Sequence, residues 1–509
     1  MEEKDVRTIA DLIRRAEENW PDKTYLREKA GKGFAERTFH ELYEDALRIS
    51  AFLKQDGDGP VHAGMIGPTS VPYIESLFGT WLGGGTAVPI DALLPPAEII
   101  DNLIRADVSV FFYDARFAPL IPALKQAYPT VKTVCVTETE ADLSVPTILK
   151  TYEPAQPAEI DPGQCAAILY TSGTTGKSKG VMLSHANLID NVMCCDSEGD
   201  ESSILLTVLP LHHAYCLTCD LLLSMRYGAQ LAINDSLMRL PQNIRLFQPT
   251  HILVVPVIAE TLYRRIQAAM RADSSLTPVQ AGRGLFGENL QVIFCGGAYL
   301  SPQLYEAYAE MGIPLLQGYG MTECSPRISS SSLADPSTGE DVGRVVKRCK
   351  VEIRDGEIVA RSPSVMMGYY RNPEAEKEMF TEDGWLRTGD LGYVKDGRIY
   401  ITGRKKNLII LSNGENISPE SIENCFADSE WLGGILVYTE DGEITAEAVV
   451  RPEFAQDAVR LFREKTEEVN RNAPAARRIT RLRLRDRDFE KTTSGKIRRI
   501  QSEKGTLLS

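Results

Sequence analysis

Ten consecutive positions, Thr171, Ser172, Gly173, Thr174, Thr175, Gly176, Lys177, Ser178, Lys179 and Gly180, hold five hydroxyl side chains, three glycines and two lysines. An apolar run, Cys165 to Tyr170, stands before them, and a second, Val181 to Leu183, follows. The pattern predicts a buried strand, a polar loop and a partner strand. Glycines let the backbone curl so that several N–H groups point into one concavity. The hydroxyls add donors and the lysines add positive charge. An anion with many oxygens, such as a nucleotide triphosphate, fits that lining, and an ordinary polar turn does not need so many donors. A Walker-type loop fails on spacing, because the Gly it needs five residues before the Gly-Lys-Ser is here Thr171. It would also start a helix, and this loop leads to a strand pattern.

The rest of the composition bounds the answer. At 509 residues the chain suits one large domain plus a smaller one. A formal net charge of −14 argues against a nucleic-acid surface as a main role. The first residues are acidic with no apolar core, unlike a signal peptide. No apolar run is long enough to span a bilayer. The expected location is therefore cytoplasmic, with the ten cysteines as reduced thiols. Cys216 and Cys219 have the spacing of a metal or redox pair, but no second pair completes a zinc site, and core packing is expected there.

Along the chain, residues 7–20 and 39–55 carry apolar residues three and four apart, which predicts amphipathic helices, the second capped by Thr38. Strand and helix patterns then alternate: a strand at Val61–Gly67, a helix from Ser70 to Leu82, and strands ending at Pro89 and near 108–113 and 133–137. This alternation implies an α/β sheet covered by helices. Residues 152–163 read as a surface connector. Further strands are expected at Leu205–Leu211, 253–255, Leu290–Cys295 and Pro314–Gln317. Gly296, Gly297 and Ala298 end one of these strands, and Gly318, Tyr319 and Gly320 end another. In open α/β sheets, ligands bind at carboxyl ends of strands. From about residue 340 the texture changes. Hairpins with turns at Asp355-Gly356 and Asp396-Gly397 suggest a small antiparallel β subdomain. Gly403, Arg404, Lys405 and Lys406 form a basic candidate hinge, and a compact α+β unit of about a hundred residues follows.

Several of these stretches carry a family resemblance. Thr171 to Gly180 resembles the phosphate loop of the adenylate-forming superfamily, which includes acyl-CoA synthetases, peptide-synthetase adenylation domains and luciferase. The family usually has Pro where this chain has Ser178. Gly318 to Glu323 is similar to the family's Tyr-Gly-x-Thr-Glu motif, Gly384 to Asp390 to its Thr-Gly-Asp motif, and Lys491 to Lys496 to its C-terminal lysine motif, with Glu490 in place of the usual Pro. The motifs occur in order over residues 165–500, so the resemblance covers nearly the whole chain.

The resemblance implies roles residue by residue. The phosphate loop and Thr171 would hold the triphosphate of ATP. Gly297 and Ala298 would line the adenine pocket and the acyl tunnel. Tyr319, between Gly318 and Gly320, would stack on adenine. Thr322 would donate to the α-phosphate. Glu323 would bind Mg²⁺, a hard cation that takes oxygen ligands. Asp390 and Arg404 would take the ribose hydroxyls, Asp390 because a carboxylate accepts two hydrogen bonds at once. Lys496 would neutralise charge in the adenylation step. Gly414 would border the coenzyme A channel, and Lys406 would be the hinge pivot. The implied architecture is a large α/β domain over residues 1–402, a hinge at 403–406 and a mobile α+β domain over 407–509.

The implied reaction is acyl adenylate formation followed by thioester formation, with ATP, Mg²⁺ and coenzyme A. Amino-acid-activating members carry an Asp shortly after the region of Leu211 to Tyr215, in a Phe-Asp-x-Ser context that is absent here. His213 matches the residue that borders the carboxylate in acyl- and aryl-CoA ligases; a helix-capping histidine is the alternative. The segment 408–423 is most similar to fatty acyl-CoA ligases, so a medium- or long-chain fatty acid is the expected substrate. An acyl carrier protein is the alternative acceptor, a non-catalytic nucleotide or acyl sensor the alternative function, and a monomer or homodimer the expected state. Arg481, Arg483, Arg485 and Arg487 alternate with Leu482 and Leu484. That row is either a solvated strand face or an electropositive rim attracting the acceptor's phosphates.

Overall fold

The computed structural model describes residues 6–55, 57, 59, 61–137, 143–171, 178–194, 198–410, 416–491 and 497–508. Within them the predicted α/β alternation is present. The helices Ile9–Asn19 and Phe39–Lys54 both begin in capping boxes, with Thr8 and Thr38 accepting from the backbone of Asp11 and Glu41. The helix Val71–Leu82 is buried along nearly its whole length. It lies inside the main core with Phe52, Trp81, Leu169 and Leu222.

One sheet of seven strands holds Cys165–Thr171 at the join between two textures. On one side lie the parallel strands Thr86–Pro89, His62–Ile66, Val110–Tyr113 and Lys132–Cys135. They read as short apolar runs because helices cover both faces of such a sheet. On the other side Lys179–Ser184 and then Gly368–Tyr369 pair antiparallel.

A second sheet of thirteen strands carries the parallel run Gln230–Ile233, Ile204–Thr207, His251–Val254, Val292–Gly296 and Leu315–Gly320. The expected strand to Leu211 stops at Thr207. Pro210 brings no N–H for a ladder, and the chain turns there toward His212 and His213. The two hairpins expected after residue 340 are antiparallel, Lys350–Arg354 with Glu357–Arg361 and Leu386–Lys395 with Arg398–Arg404. They are hydrogen-bonded onto the large sheet through Arg327–Ser330 and Arg344–Val345 and do not form a detached sheet. Edge pairing of this kind leaves no unpaired strand edge between the two textures.

Beyond residue 407 a smaller unit has its own core of Phe426, Trp431, Val437, Phe462 and Leu482. Its sheet runs Leu432–Glu440, Glu443–Val450, Arg481–Arg485, Thr506–Leu507, with the helix Ala458–Asn472. Between the two units the exposed pair Arg271–Glu430 closes to 2.8 Å. A solvent-exposed ion pair contributes only about 0–1 kcal/mol, so it would not by itself hold the two units in one orientation.

Candidate active site

The polar loop sits between walls that its own sequence sets. Cys165–Thr171 and Lys179–Ser184 pair antiparallel with Thr171 opposite Lys179. Ser178 is fixed from the side: its hydroxyl donates to Asn102 Oδ1 at 2.9 Å, and Arg105 donates to its carbonyl. Tyr170 donates to the Asn102 carbonyl at 2.9 Å. The helix Pro96–Arg105 thus anchors the loop exit through a serine where the related loops usually carry proline. Ser172, Gly173, Thr174, Thr175, Gly176 and Lys177 lie outside the described residues.

The glycine-ended strands pair with each other in the thirteen-stranded sheet. Gly296 and Gly318 are register partners at the carboxyl ends of Val292–Gly296 and Leu315–Gly320. Gly297 follows with φ +83, a left-handed conformation that glycine adopts freely, and leads into Ala298. A Cβ on Gly320 would lie 1.9 Å from the Pro326 carbonyl oxygen, so only glycine fits there. Between them Tyr319 is buried, and its hydroxyl donates to Asp390 Oδ2 at 2.8 Å. Burial, with the Asp390 charge, holds that phenol far above its ordinary pKa, so it stays a donor.

Asp390 is also buried, and its other oxygen faces Arg404 Nε at 2.8 Å. The two residues are register partners across the hairpin, which is why they meet. Arg404 keeps about half of its side chain exposed, 47% against 7% for Asp390, so the guanidinium can reach toward a ligand. Buried Glu357 works one layer behind. It accepts from Gly389 N at 3.1 Å, Arg387 at 3.1 Å and Lys405 at 2.9 Å, tying the Asp390 turn to the end of the neighbouring strand. Lys406 follows in the turn Lys405–Asn407, its amine lowered by partial burial and by the Arg404 charge.

Thr322 and Glu323 form the single turn Thr322–Cys324 just past the tyrosine strand. Arg327 pins this turn: it donates to the Asn191 carbonyl at 2.6 Å, and Asn191 Nδ2 donates back to the Cys324 and Arg327 carbonyls at 3.1 Å each. Glu323 is buried and Oε1 accepts the Tyr369 hydroxyl at 2.8 Å. Lys179 stands over the Tyr369 ring at 5.1 Å, so the loop exit, Tyr369 and Glu323 are one connected corner. The second Glu323 oxygen has no partner among the described residues. No group of three metal-ligating side chains occurs among them. One carboxylate with no protein cage fits Mg²⁺, which keeps waters and shares phosphate oxygens.

His213 holds the N-cap position of the short helix Ala214–Cys216, yet its side chain makes no capping hydrogen bond. The His212 ring lies 4.2 Å from it, tilted by 54°. Burial and then His213 push His212 down to about 3, against the pull of Asp91 at 3.7 Å, so His212 is neutral at ordinary pH. Cys216 and Cys219 are buried core residues, as expected.

In the smaller unit Lys491 bridges to Ile497 across the segment that holds Lys496. Lys496 and Gly414 lie outside the described residues. Three arginines of the row, Arg481, Arg483 and Arg485, are ion-paired, and Arg487 is exposed past the end of their strand. Arg481 and Arg483 pair with Glu440 at 3.4 and 2.9 Å, Arg481 also with Asp441 and Glu443 at 2.9 and 2.8 Å, and Arg485 with Glu447 at 3.0 Å. The acidic partners come from the neighbouring hairpin, where the sequence separation hid them. Tyr369, Asn191 and Glu357 were also missed; Lys179, inside the polar loop, was read only as one of its two positive charges.

Comparison with known proteins decides the family. The AMP-binding enzyme family matches residues 13–370, and its C-terminal domain family matches residues 406–505. The chain belongs to the AMP-binding enzymes. It is 33% identical to the sulfoacetate–CoA ligase of Cupriavidus necator, over 89% of this chain and 87% of that one. It is 27% identical to a long-chain-fatty-acid–CoA ligase of Bacillus subtilis, over 97% and 93%. Its fold is that of an anthranilate CoA ligase solved with anthranoyl-AMP, with a TM-score of 0.86 at 20% identity over 98% of this chain and 97% of that one. This AMP-binding enzyme is an acid–CoA ligase that works through an adenylate and uses ATP, Mg²⁺ and CoA. Among the described residues no helix is long and apolar enough to cross a membrane.

Proposed function

We propose that the chain converts a small carboxylic acid to its CoA thioester, with Tyr319, Asp390 and Arg404 holding the nucleoside. The observation that carries the site is that junction: one buried carboxylate shared between a buried phenol and a half-exposed guanidinium. Ribose hydroxyls can donate to Asp390, and adenine can lie against Tyr319 beside Gly297, Ala298, Gly318 and Gly320. Thr171, Ser172, Gly173, Thr174, Thr175, Gly176 and Lys177 hold the phosphates. Thr322 donates to the α-phosphate. Glu323 would hold Mg²⁺, which would supply charge neutralisation at the phosphates.

The acid's carboxylate oxygen attacks the α-phosphorus, the bond to pyrophosphate breaks, and an acyl adenylate forms. No side-chain nucleophile is needed; positioning and charge carry the step. Lys496 neutralises the developing charge and His213 borders the carboxylate. The CoA sulfur then attacks the acyl carbon and AMP departs, with Gly414 bordering the thiol channel. Residues 1–402 form the adenylating domain and 407–509 the mobile one, with a hinge at 403–406 that pivots at Lys406. The start of the C-terminal family match at residue 406 supports that division.

A small acid is favoured by the likeness to the sulfoacetate ligase. A medium- or long-chain fatty acid is the second reading, favoured by the likeness to the Bacillus subtilis ligase. Acid-dependent exchange of labelled pyrophosphate into ATP, run over acids of graded length and then with CoA or a carrier protein as acceptor, tests both. Exchange with small acids and thioester formation with CoA are expected; exchange with hexadecanoate alone would overturn the small-acid reading.

A further inference from the structure

The helix Pro96–Arg105 carries a polar side chain where its buried stripe calls for an apolar one. Ile99, Leu103 and Ala106 are buried on that face, and Asn102 lies among them, 2% exposed. Its polar groups have different fates. The backbone carbonyl accepts the Tyr170 hydroxyl at 2.9 Å, and Oδ1 accepts the Ser178 hydroxyl at 2.9 Å. Nδ2 is buried with no partner among the described residues. An amide that leaves a donor unmet is a poor choice for packing alone. A leucine of similar size would leave none. What the asparagine gains in exchange is its hold on Ser178.

Thr171 and Lys179 are register partners at the mouth of the phosphate loop; Tyr170 precedes the first and Ser178 the second. One residue of the helix therefore grips both arms of the loop. Arg105, one turn further on, donates to the Ser178 carbonyl and holds its guanidinium 5.4 Å from the Tyr170 ring. On the other side of Ser178, Lys179 stands over the Tyr369 ring, whose hydroxyl reaches Glu323. Ser178 itself lies outside the ladder, so strand pairing does not fix its backbone. The bond to Asn102 removes that freedom before a ligand arrives, and less is then lost on binding.

We propose that Asn102 is a positioning residue for ATP: acting through Ser178, it fixes the exit of the phosphate loop so that the loop can hold the β- and γ-phosphates. This role rests on the one proposed for the loop and adds the residue that sets its exit.

Calorimetric titration with MgATP and with AMP, on wild type, Asn102→Leu, Ser178→Ala and the double variant, tests it. AMP lacks the phosphates assigned to the loop, so it controls for folding and for the nucleoside pocket. Each single variant should raise the Kd for MgATP about fivefold, through one lost hydrogen bond, and leave the Kd for AMP within about twofold. The double variant should bind MgATP no more weakly than either single one, because both remove the same contact. The melting temperature of Asn102→Leu should match or exceed that of wild type, since the unmet donor is gone. Losses that multiply in the double variant, to on the order of twenty-five-fold, would show two separate effects and overturn the proposal. An unchanged Kd for MgATP in Asn102→Leu overturns it too and leaves the loop's role standing. Equal weakening of MgATP and AMP, with a lower melting temperature, would make Asn102 structural and also overturn it. Lys177→Ala, inside the loop, reports on the loop by itself: unchanged MgATP affinity there overturns the loop's role and that of Asn102 with it.

Discussion

Two guanidinium–carboxylate arrangements in this chain use the same chemistry for opposite ends. At the junction, Asp390 is buried and Arg404 is half exposed, and the carboxylate is divided between Arg404 and Tyr319. In the smaller unit, Arg485 and Glu447 are both buried, with side chains 7% and 1% exposed, and Glu447 also accepts from Tyr438 at 2.9 Å. One partner left in water keeps the first pair free to exchange a protein contact for a ligand contact. Two partners removed from water commit the second to holding its sheet, because either charge alone would be uncompensated.

The largest effect should come from breaking the buried pair. Glu447→Ala strands the Arg485 charge and should cost about 3–5 kcal/mol in urea unfolding of the smaller unit. A loss below about 1 kcal/mol would show that Arg485 finds water and that the two regions do not differ. Asp390→Ala should next lower kcat/KM for ATP by about 10–100-fold, from a lost charged hydrogen bond of about 1.5–3 kcal/mol. Its stability should move less than that of Glu447→Ala, since Arg404 can turn to solvent; a larger drop in stability than in activity would recast the junction as structural.

Acidification sharpens the contrast further. Hydrogen bonds from Arg483 and then Lys504 hold the Glu440 carboxyl down at about 2. Its folded pKa is below the unfolded one, so its contribution is complete above about pH 4.5 and is lost as pH falls through about 2. Glu440→Gln should flatten that part of the stability profile; an unchanged slope between pH 4.5 and 2 would assign it to other groups. The smallest effect is expected from Arg483→Gln. Because Arg483 is paired with Glu440, its charge is mostly cancelled at a distance, and the KM for CoA should stay within about twofold even at low ionic strength. A rise that shrinks with added salt would restore an electropositive approach for the thiol.

Much of the fold could be read because its signals are local. Thr38 before an apolar stripe, the Asp355-Gly356 turn and the glycines closing apolar runs each act within a few residues. The junction of Asp390 and Arg404 was readable through ordered motifs, since the two oppose each other in one hairpin. Tyr369 was not readable, because it reaches Glu323 only through pairing of Gly368–Tyr369 with Lys179–Ser184. The ion pairing of the arginine row was not readable for a related reason. Alternation fixed which side chains share a face, but the charge on that face depends on the neighbouring strand.

The sequence by itself determined the helices, the strands, the polar loop between Thr171 and Gly180, and the order of the motifs. Those depend on periodicity, capping and glycine, which act over one or two turns of chain. The tertiary structure alone decided that Glu440 and Glu447 neutralise Arg481, Arg483 and Arg485, and that Asn102 and Arg105 hold Ser178. Each of these joins segments tens of residues apart. Strand register and helix placement set such contacts, and both are fixed by burying the whole core at once.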